Sequence, residues 1–302
     1  MKRIGILSIG EMGYHWARLL GSQGIEVLTY AGGRSEVTQR RATNAGVRLV
    51  PSMRVLLEES DLVVSVVVPL AAKRVASQVA RSLARVGRRD LLYLDANAIS
   101  PMTAREIERA LAPAGAIFVD GCIIGSAARI GHGTLICLSG PQAERLEELR
   151  AFGFSTRVLG TEIGQASAFK VVYAGLTKGL QGLFVELLIG ARKFGLLHEI
   201  IRQYEESFPG LLAKIGPSIV GLKTHAGRRA EEMAELGQTY RHNGLRSVMA
   251  PATRKLLRAI AALDAGMASE TGEREGSVLE TVELFFHKGL LRENGPGGSI
   301  RS

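Results

Sequence analysis

The chain has 302 residues, 46% of them apolar and 5% aromatic, with a formal charge of +9; two domains, or one domain with a long helical extension, suit that length. Basic residues are interspersed with acidic ones, as in Arg105-Glu106-Ile107-Glu108-Arg109, which reads as solvated helix faces rather than a nucleic-acid surface, while the arginine excess suits anionic ligands. The uncharged run Leu62 to Ala72 is too short to span a bilayer, and the first strand leaves no room for a signal segment, so a cytoplasmic protein with no membrane partner is expected.

Ile4 to Ile9 is an apolar, β-branched run that ends at Gly10-Glu11-Met12-Gly13, after which Trp16, Leu19 and Leu20 recur at helical spacing. That is a strand, a tight glycine turn and a helix, and the free N–H groups at the helix start favour a phosphate. The residues that would hold a dinucleotide here are Ser8, Ile9, Gly10, Glu11, Met12 and Gly13. Ser8 stands where the G-x-G-x-x-G fingerprint has its first glycine, so the turn taken alone is also compatible with an ordinary strand-to-helix connection.

A second strand, Ile25 to Tyr30, leads into Gly33-Arg34-Ser35 and a helix through Ala45. No carboxylate closes this strand to take ribose hydroxyls. Arginine and a hydroxyl stand there instead, which fits a 2′-phosphate and so NADP(H) over NAD(H); a solvated loop arginine is the alternative.

Strands at Val47 to Val50, Leu62 to Val68 and Leu91 to Asp95 alternate with helical patterns at Met53 to Glu58 and Ala71 to Val86, as in a doubly wound, mostly parallel sheet. Val68 and Pro69 close one strand at the carboxyl edge, where cofactors bind. Asn97 projects over the same edge, and Pro101 is placed to begin a helix to Leu111. Ala116 to Ile123 and Thr134 to Leu138 are two further strands, joined by small residues from Gly125 to Gly133 whose backbone amides could cradle a carboxylate. A helix Pro141 to Ala151 and a strand Thr156 to Leu159 follow. Cys122 and Cys137 lie in apolar surroundings without metal-type spacing, so two reduced core thiols are expected and no metal.

From Gly164 onward the pattern is helical only. Gln165 to Arg192 contains no proline and reads as one helix, which over roughly 28 residues would run ~42 Å. With about 100° per residue, Tyr173, Thr177 and Gln181 share the side of Lys170, and Gly175, Gly179 and Gly182 share the opposite side. A lysine facing inward is costly unless paired or functional. Further helices are expected at Leu197 to Glu206, Pro217 to Leu236, Ser247 to Leu263 and Val278 to Leu291. The expected division is residues 1–161 as a Rossmann-type α/β domain, 162–292 as an all-helical domain, and 293–302 as a flexible tail.

In this order the motifs resemble the β-hydroxyacid dehydrogenase family, which includes 3-hydroxyisobutyrate and 6-phosphogluconate dehydrogenases. The glycine turn matches Ile9 to Gly13, the NADP-type loop Gly33 to Ser35, and the proline-terminated strand Val66 to Pro69. The family's D-x-S-x-x-x-P segment matches Asp95 to Pro101, its substrate loop Asp120 to Leu135, and its catalytic approach Gly164 to Lys170. This chain departs in having Asn97 for a serine, Ile124-Gly125-Ser126 for Ser-Gly-Gly, Ala166 for a glycine and Tyr173 for an asparagine. Beyond residue 190 it is similar to an uncharacterised branch.

The resemblance implies hydride transfer between a nicotinamide and a small hydroxy acid or its carbonyl form, with Lys170 as general acid and base and with Tyr173 and Asn97 orienting substrate or lysine. Ile124, Gly125, Ser126, Ala127, Thr177 and Arg228 are the expected substrate contacts. Two other readings stay open: reduction of C=N bonds, with Tyr173 as proton donor, and a dinucleotide-binding module without catalysis. A homodimer through the C-terminal helices is expected, because the glycine face and the apolar helices after Leu196 exceed what one small domain can cover.

Overall fold

The computed structural model describes residues 1–30, 32–33, 35–263 and 276–292. Arg34 and the tail 293–302 lie outside the described residues. By its internal contacts the chain divides into two compact units, Met1–Val171 and Val172–Ser302.

The first unit alternates strand and helix. Its elements are β1 Arg3–Ile6, α1 Glu11–Ser22, β2 Glu26–Tyr30, α2 Glu36–Asn44, β3 Arg48–Val50, α3 Met53–Glu59, β4 Leu62–Ser65, α4 Ala72–Val86, β5 Leu91–Asp95, α5 Pro101–Leu111, β6 Ala116–Ile124, β7 Leu135–Ser139 and β8 Ser155–Gly160. They form one eight-stranded sheet in the order β3-β2-β1-β4-β5-β6-β7-β8. All pairs are parallel except β6 with β7. The order reverses direction between β1 and β4, and it is outside the carboxyl ends of the strands at such a point that doubly wound sheets hold ligands. Every residue of β4 and β5 is buried, as expected for strands covered on both faces.

Two local expectations are corrected. The strand predicted to reach Val68 stops at Ser65, and a 3₁₀ turn occupies Pro69–Ala71; Val68 is then exposed at the sheet edge. The segment Ala143–Phe152 is 3₁₀ rather than α-helical. Its buried side chains Ala143, Leu146 and Leu149 repeat every third residue, the period of a helix with three residues per turn.

The long helix α6, Gln165–Lys193, carries the chain from the first unit into the second. The division falls inside it at Val171, and Asp120 of β6 ties Gly164 and Ser167, at its start, to the sheet. The second unit continues with α7 Leu197–Ser207, α8 Leu211–Val220, α9 Leu222–His242, α10 Met249–Leu263 and α11 Val278–His287. The single helix expected from Pro217 to Leu236 is two. Pro217 sits inside α8, and Gly221, whose N–H still reaches the Pro217 carbonyl at 3.1 Å, marks the junction with α9.

The glycine face of α6 is filled partly from within the chain. A methyl group on Gly175 would meet Leu236 of α9 at 2.6 Å, and one on Gly182 would meet Thr253 of α10 at 3.2 Å, whereas Gly179 has nothing within 4 Å. Among the described residues α6 is also long and apolar enough to cross a membrane by length and composition, with a mean hydropathy of 1.2. Within the second unit it packs against α9 at Gly175 and against α10 at Gly182, and 39% of its most apolar stretch is buried.

Candidate active site

The turn between β1 and α1 shows why its two glycines differ. A side chain on Gly13 would lie 1.9 Å from the Ser8 carbonyl oxygen, so a bare Cα is what lets α1 pack on the strand end. A side chain on Gly10 would meet only the Ser8 hydroxyl at 3.7 Å, ordinary contact. Among the described residues nothing requires glycine at position 10, and the space it leaves lies at the helix N-terminus. Gly10 caps α1 and accepts the Tyr14 N–H at 2.9 Å, so the amides of Glu11, Met12 and Gly13 have no intrahelical acceptor. This arrangement fits a dinucleotide pyrophosphate.

Around this turn the structure assembles part of the expected cofactor set. Ser8 to Gly13 follow β1, Val68 and Pro69 follow β4, and Asn97 follows β5, all at the carboxyl ends of adjacent strands. Asn97 is 3% exposed. Its Nδ2 donates to the Ser65 hydroxyl at 3.0 Å and its N–H donates to Asp95 Oδ1 at 3.1 Å, while its Oδ1 has no hydrogen-bond partner among the described residues. At the end of β2, Gly33 has a φ of +71° and Ser35 caps α2, accepting the Thr38 N–H.

Sequence reasoning missed the polar row that anchors the site. Ser65 and Asp95, Asp95 and Asp120, and Asp120 and Ser139 are register partners on successive strands β4 to β7. All four are fully buried. Asp120 Oδ2 accepts from the Ser139 hydroxyl and from the N–H groups of Gly164 and Ser167, each at 3.0 Å, and Oδ1 accepts from the Ser167 hydroxyl at 2.6 Å. The Ser139 oxygen in turn accepts the Ala166 N–H at 2.9 Å. Charge-assisted bonds of this kind contribute about 1.5–3 kcal/mol each, so the first turn of α6 is held to β6 and β7. Burial raises the Asp120 pKa, and the bonds from Ser167 and Ser139 oppose that. The available signal was the buried-strand context of Asp120 followed by Ser139 and Ser167.

One turn further along α6, Lys170 is half-buried and its Nζ donates to the Ile123 carbonyl at 2.7 Å. Beneath it, Cys122 and Cys137 are free, buried register partners on β6 and β7. The connection from Ile124 to Thr134 is ordered: Thr134 Oγ1 donates to the Ser126 carbonyl at 2.6 Å, and Ala127–Arg129 form a 3₁₀ turn. The first amides of that turn, on Ala127 and Ala128, have no intrahelical acceptor. Gly125 has a φ of +131° and lies tight against Thr134.

The remaining expected residues belong to the second unit. Tyr173 is 45% exposed. The Thr177 hydroxyl donates to the Ala174 carbonyl of its own helix. Arg228, expected at the substrate, pairs with Glu232 one turn on at 2.7 Å. It is Arg229 that turns into the helices, donating to the buried Gln181 at 3.0 Å and to the Ser218 carbonyl at 2.5 Å. Among the described residues no cluster of metal-type ligands exists.

A cleft of about 430 Å³ in the first unit was also missed. One wall is Arg74, Gln78, Arg81, Ser82 and Arg85 of α4, and its lining includes Gly32 and Gly33 after β2.

Residues 3–153 match the NAD binding domain of 6-phosphogluconate dehydrogenase, and residues 191–260 match a domain of unknown function, DUF1932. The chain is 30% identical over 259 residues to an uncharacterized 28.5 kDa protein in the 7S RNA 5′ region of Methanothermus fervidus, covering 85% of this chain and 98% of that one. Among solved structures, the conserved protein MTH1747 of unknown function, described as similar to 3-hydroxyacid dehydrogenases, is 30% identical with a TM-score of 0.73 and coverage of 86% and 97%. The fold is shared with Mycobacterium tuberculosis 3-hydroxyisobutyrate dehydrogenase (17% identity, TM-score 0.73, coverage 94% and 98%). It is also shared with the V8 variant of an imine reductase from Myxococcus stipitatus in complex with NAD+ (22% identity, TM-score 0.60, coverage 88% and 95%).

Proposed function

The chain belongs to the β-hydroxyacid dehydrogenase family, with the NAD binding domain of 6-phosphogluconate dehydrogenase as its N-terminal half, and we propose that it is an NADP-dependent oxidoreductase interconverting a small hydroxy acid and its carbonyl form. The observation that carries the proposal is the position of Lys170, whose Nζ rests on the Ile123 carbonyl at 2.7 Å at the start of a helix pinned by Asp120. A lysine ammonium carries three N–H donors and no acceptor, so it can hand a proton to a substrate oxygen placed beside it.

The cofactor would lie along Ser8 to Gly13, Val68, Pro69 and Asn97, and when bound it supplies or accepts the hydride. Lys170 gives a proton to the carbonyl oxygen in reduction and removes it from the hydroxyl in oxidation, at Nζ. Asp120 and Ser167 fix where that nitrogen stands, acting through the helix rather than on substrate. The amides of Ala127 and Ala128 hold the substrate carboxylate, and the side chains of Ile124 and Ser126 shape its surroundings.

The test is a panel of short hydroxy acids against their amides and alcohols at saturating NADP⁺. Turnover of the acids alone supports the reading. Equal turnover of the uncharged analogues removes the carboxylate site while leaving the oxidoreductase.

Imine reduction is the second reading. Tyr173, half exposed and three residues beyond Lys170 on one continuous helix, is the feature that favours it. Cyclic imines in the same panel, with NADPH, separate the two.

We further propose a homodimer through the C-terminal helices. Val172, Leu176, Leu183 and Leu187 of α6 are 52%, 65%, 46% and 43% exposed. At about 100° per residue they fall within about 60° of one another, a continuous apolar stripe of the kind that marks an association surface.

A further inference from the structure

Arg34 is one source of positive charge after β2 in the sequence, and α4 carries a second beside the end of that strand. Arg74, Arg81 and Arg85 line the cleft described above, with Gln78 and Ser82 between them and no acidic residue among the described residues of the lining. At about 100° per residue the three arginines lie within about 40° of one another on α4. Among the described residues none of the three makes an ion pair, whereas their neighbours Lys73 and Arg88 pair with Glu106 and Asp90. Arg3, Arg40, Arg48 and Arg54 of the same unit are likewise paired with carboxylates; Arg18, Arg41, Arg89 and Arg109 have no ion pair among the described residues either, but they do not line this cleft, and it is the shared concavity that sets the three apart. Three uncompensated guanidinium groups in one concavity repel each other and attract an anion.

The rest of the lining indicates which anion. Gly32 and Gly33 follow β2, where a doubly wound fold receives the ribose of the adenosine half. Leu7, Tyr30, Met53 and Val75 add an apolar surface against which a base can rest. Since α4 follows β4 in a parallel crossover, its first turn lies at the carboxyl edge of the sheet, the edge at which β2 also ends. Arg74 is in that turn, and Arg85 is ~16 Å further along the axis.

We propose that α4 provides the specificity for a 2′-phosphate: Arg74 binds the phosphate of an adenosine 2′-phosphate nucleotide in this cleft, Arg81 assists it, and Arg85 contributes only to the field. A planar guanidinium fork suits a phosphate dianion and gives no such bond to a ribose hydroxyl. The proposal rests on the dinucleotide reading of this unit, and not on hydride transfer.

The experiment is calorimetric titration of the full chain with 2′,5′-ADP and with 5′-AMP, neither of which requires turnover. The expected result is tighter binding of 2′,5′-ADP, a loss of about tenfold or more in Arg74→Gln, a smaller loss in Arg81→Gln, and unchanged 5′-AMP binding in both. Arg74 is exposed on a helix, and far-UV circular dichroism checks that the variants fold. The proposal is overturned if Arg74→Gln leaves 2′,5′-ADP binding intact, and a loss in Arg34→Gln alone would then place the phosphate on that residue. It is equally overturned if both nucleotides weaken together, or if the unmutated chain does not discriminate between them. Retained 2′,5′-ADP preference without turnover of any hydroxy acid would remove the dehydrogenase reading and leave this one standing.

Discussion

Asp95 and Asp120 are register partners on the adjacent parallel strands β5 and β6, and both are fully buried. Strands lie about 4.8 Å apart, so two carboxylates side by side and shielded from bulk solvent resist being charged together. Their environments separate them. Asp120 accepts four hydrogen bonds from Ser139, Gly164 and Ser167. Asp95 relies on Asn97, and burial pushes its pKa up to about 7, with Asn97 opposing the rise and Asp120 adding to it.

A pH dependence of stability follows. The unfolded chain releases the Asp95 proton near the ordinary value of 3.8 and the folded chain near 7, so folding retains a proton across that window. The stabilisation from this group is complete below about pH 4 and declines until about pH 7, above which it is level. Asp95→Asn keeps an acceptor for the Asn97 amide and cannot ionise. Urea unfolding at several pH values should show the variant gaining on the parent between pH 4 and 7, and parallel profiles would contradict the assignment.

The two glycines of the β1–α1 turn should fail differently when changed to alanine. Gly13→Ala forces a methyl group onto the Ser8 carbonyl and should lower thermal stability as well as cofactor binding. Gly10→Ala meets nothing closer than 3.7 Å in the protein. It should keep its melting temperature in the absence of ligand and weaken NADP⁺ binding by about tenfold or more, since only an approaching phosphate feels the methyl. Unchanged NADP⁺ affinity in Gly10→Ala would place the pyrophosphate elsewhere.

Ser167→Ala removes the 2.6 Å bond to Asp120 Oδ1 and should cost about 1–3 kcal/mol in urea unfolding. Because Ser167 positions Lys170 through one helical turn, kcat should fall while the KM for NADPH stays unchanged. A stability loss with unaltered kcat would make the Asp120 anchor purely structural.

The sheet was legible in the sequence because its strands are short apolar runs ended by glycine, proline or a helix cap. Leu91–Asp95 and Pro101–Leu111 occur where the pattern placed them. Lys170 stood out because a charge on an apolar helix needs a reason. Asp120 was read only as the start of a loop, since the residues that satisfy it lie 19 to 47 positions away in the chain and no local pattern links them. The arginine row on α4 had a helical period, but its meaning depends on facing the end of β2, which only tertiary structure provides. Gly221, an unstrained helical residue with φ of −67°, gave no sign that two helices meet there. Arg228 was expected at the substrate, whereas Arg229 is the one that turns inward, because the Ser218 carbonyl and Gln181 that receive it come from other helices and no local pattern shows them.

The apolar stripe on α6 should hold two copies of the chain together. Leu176→Glu and Leu183→Glu should shift sedimentation at micromolar concentration from the dimer to the monomer mass, leaving the helical circular dichroism signal in place. A monomer already in the unmutated protein would overturn the dimer.

Proton transfer is assigned to Lys170, and its most direct measurement is single-turnover NADPH oxidation by Lys170→Met, which keeps the packing of the side-chain stem and removes the proton carrier. The rate should drop by about 10²-fold or more with the dissociation constant for NADPH little changed. A near-normal rate with the substrates that the parent turns over would contradict the assignment of proton transfer to this residue.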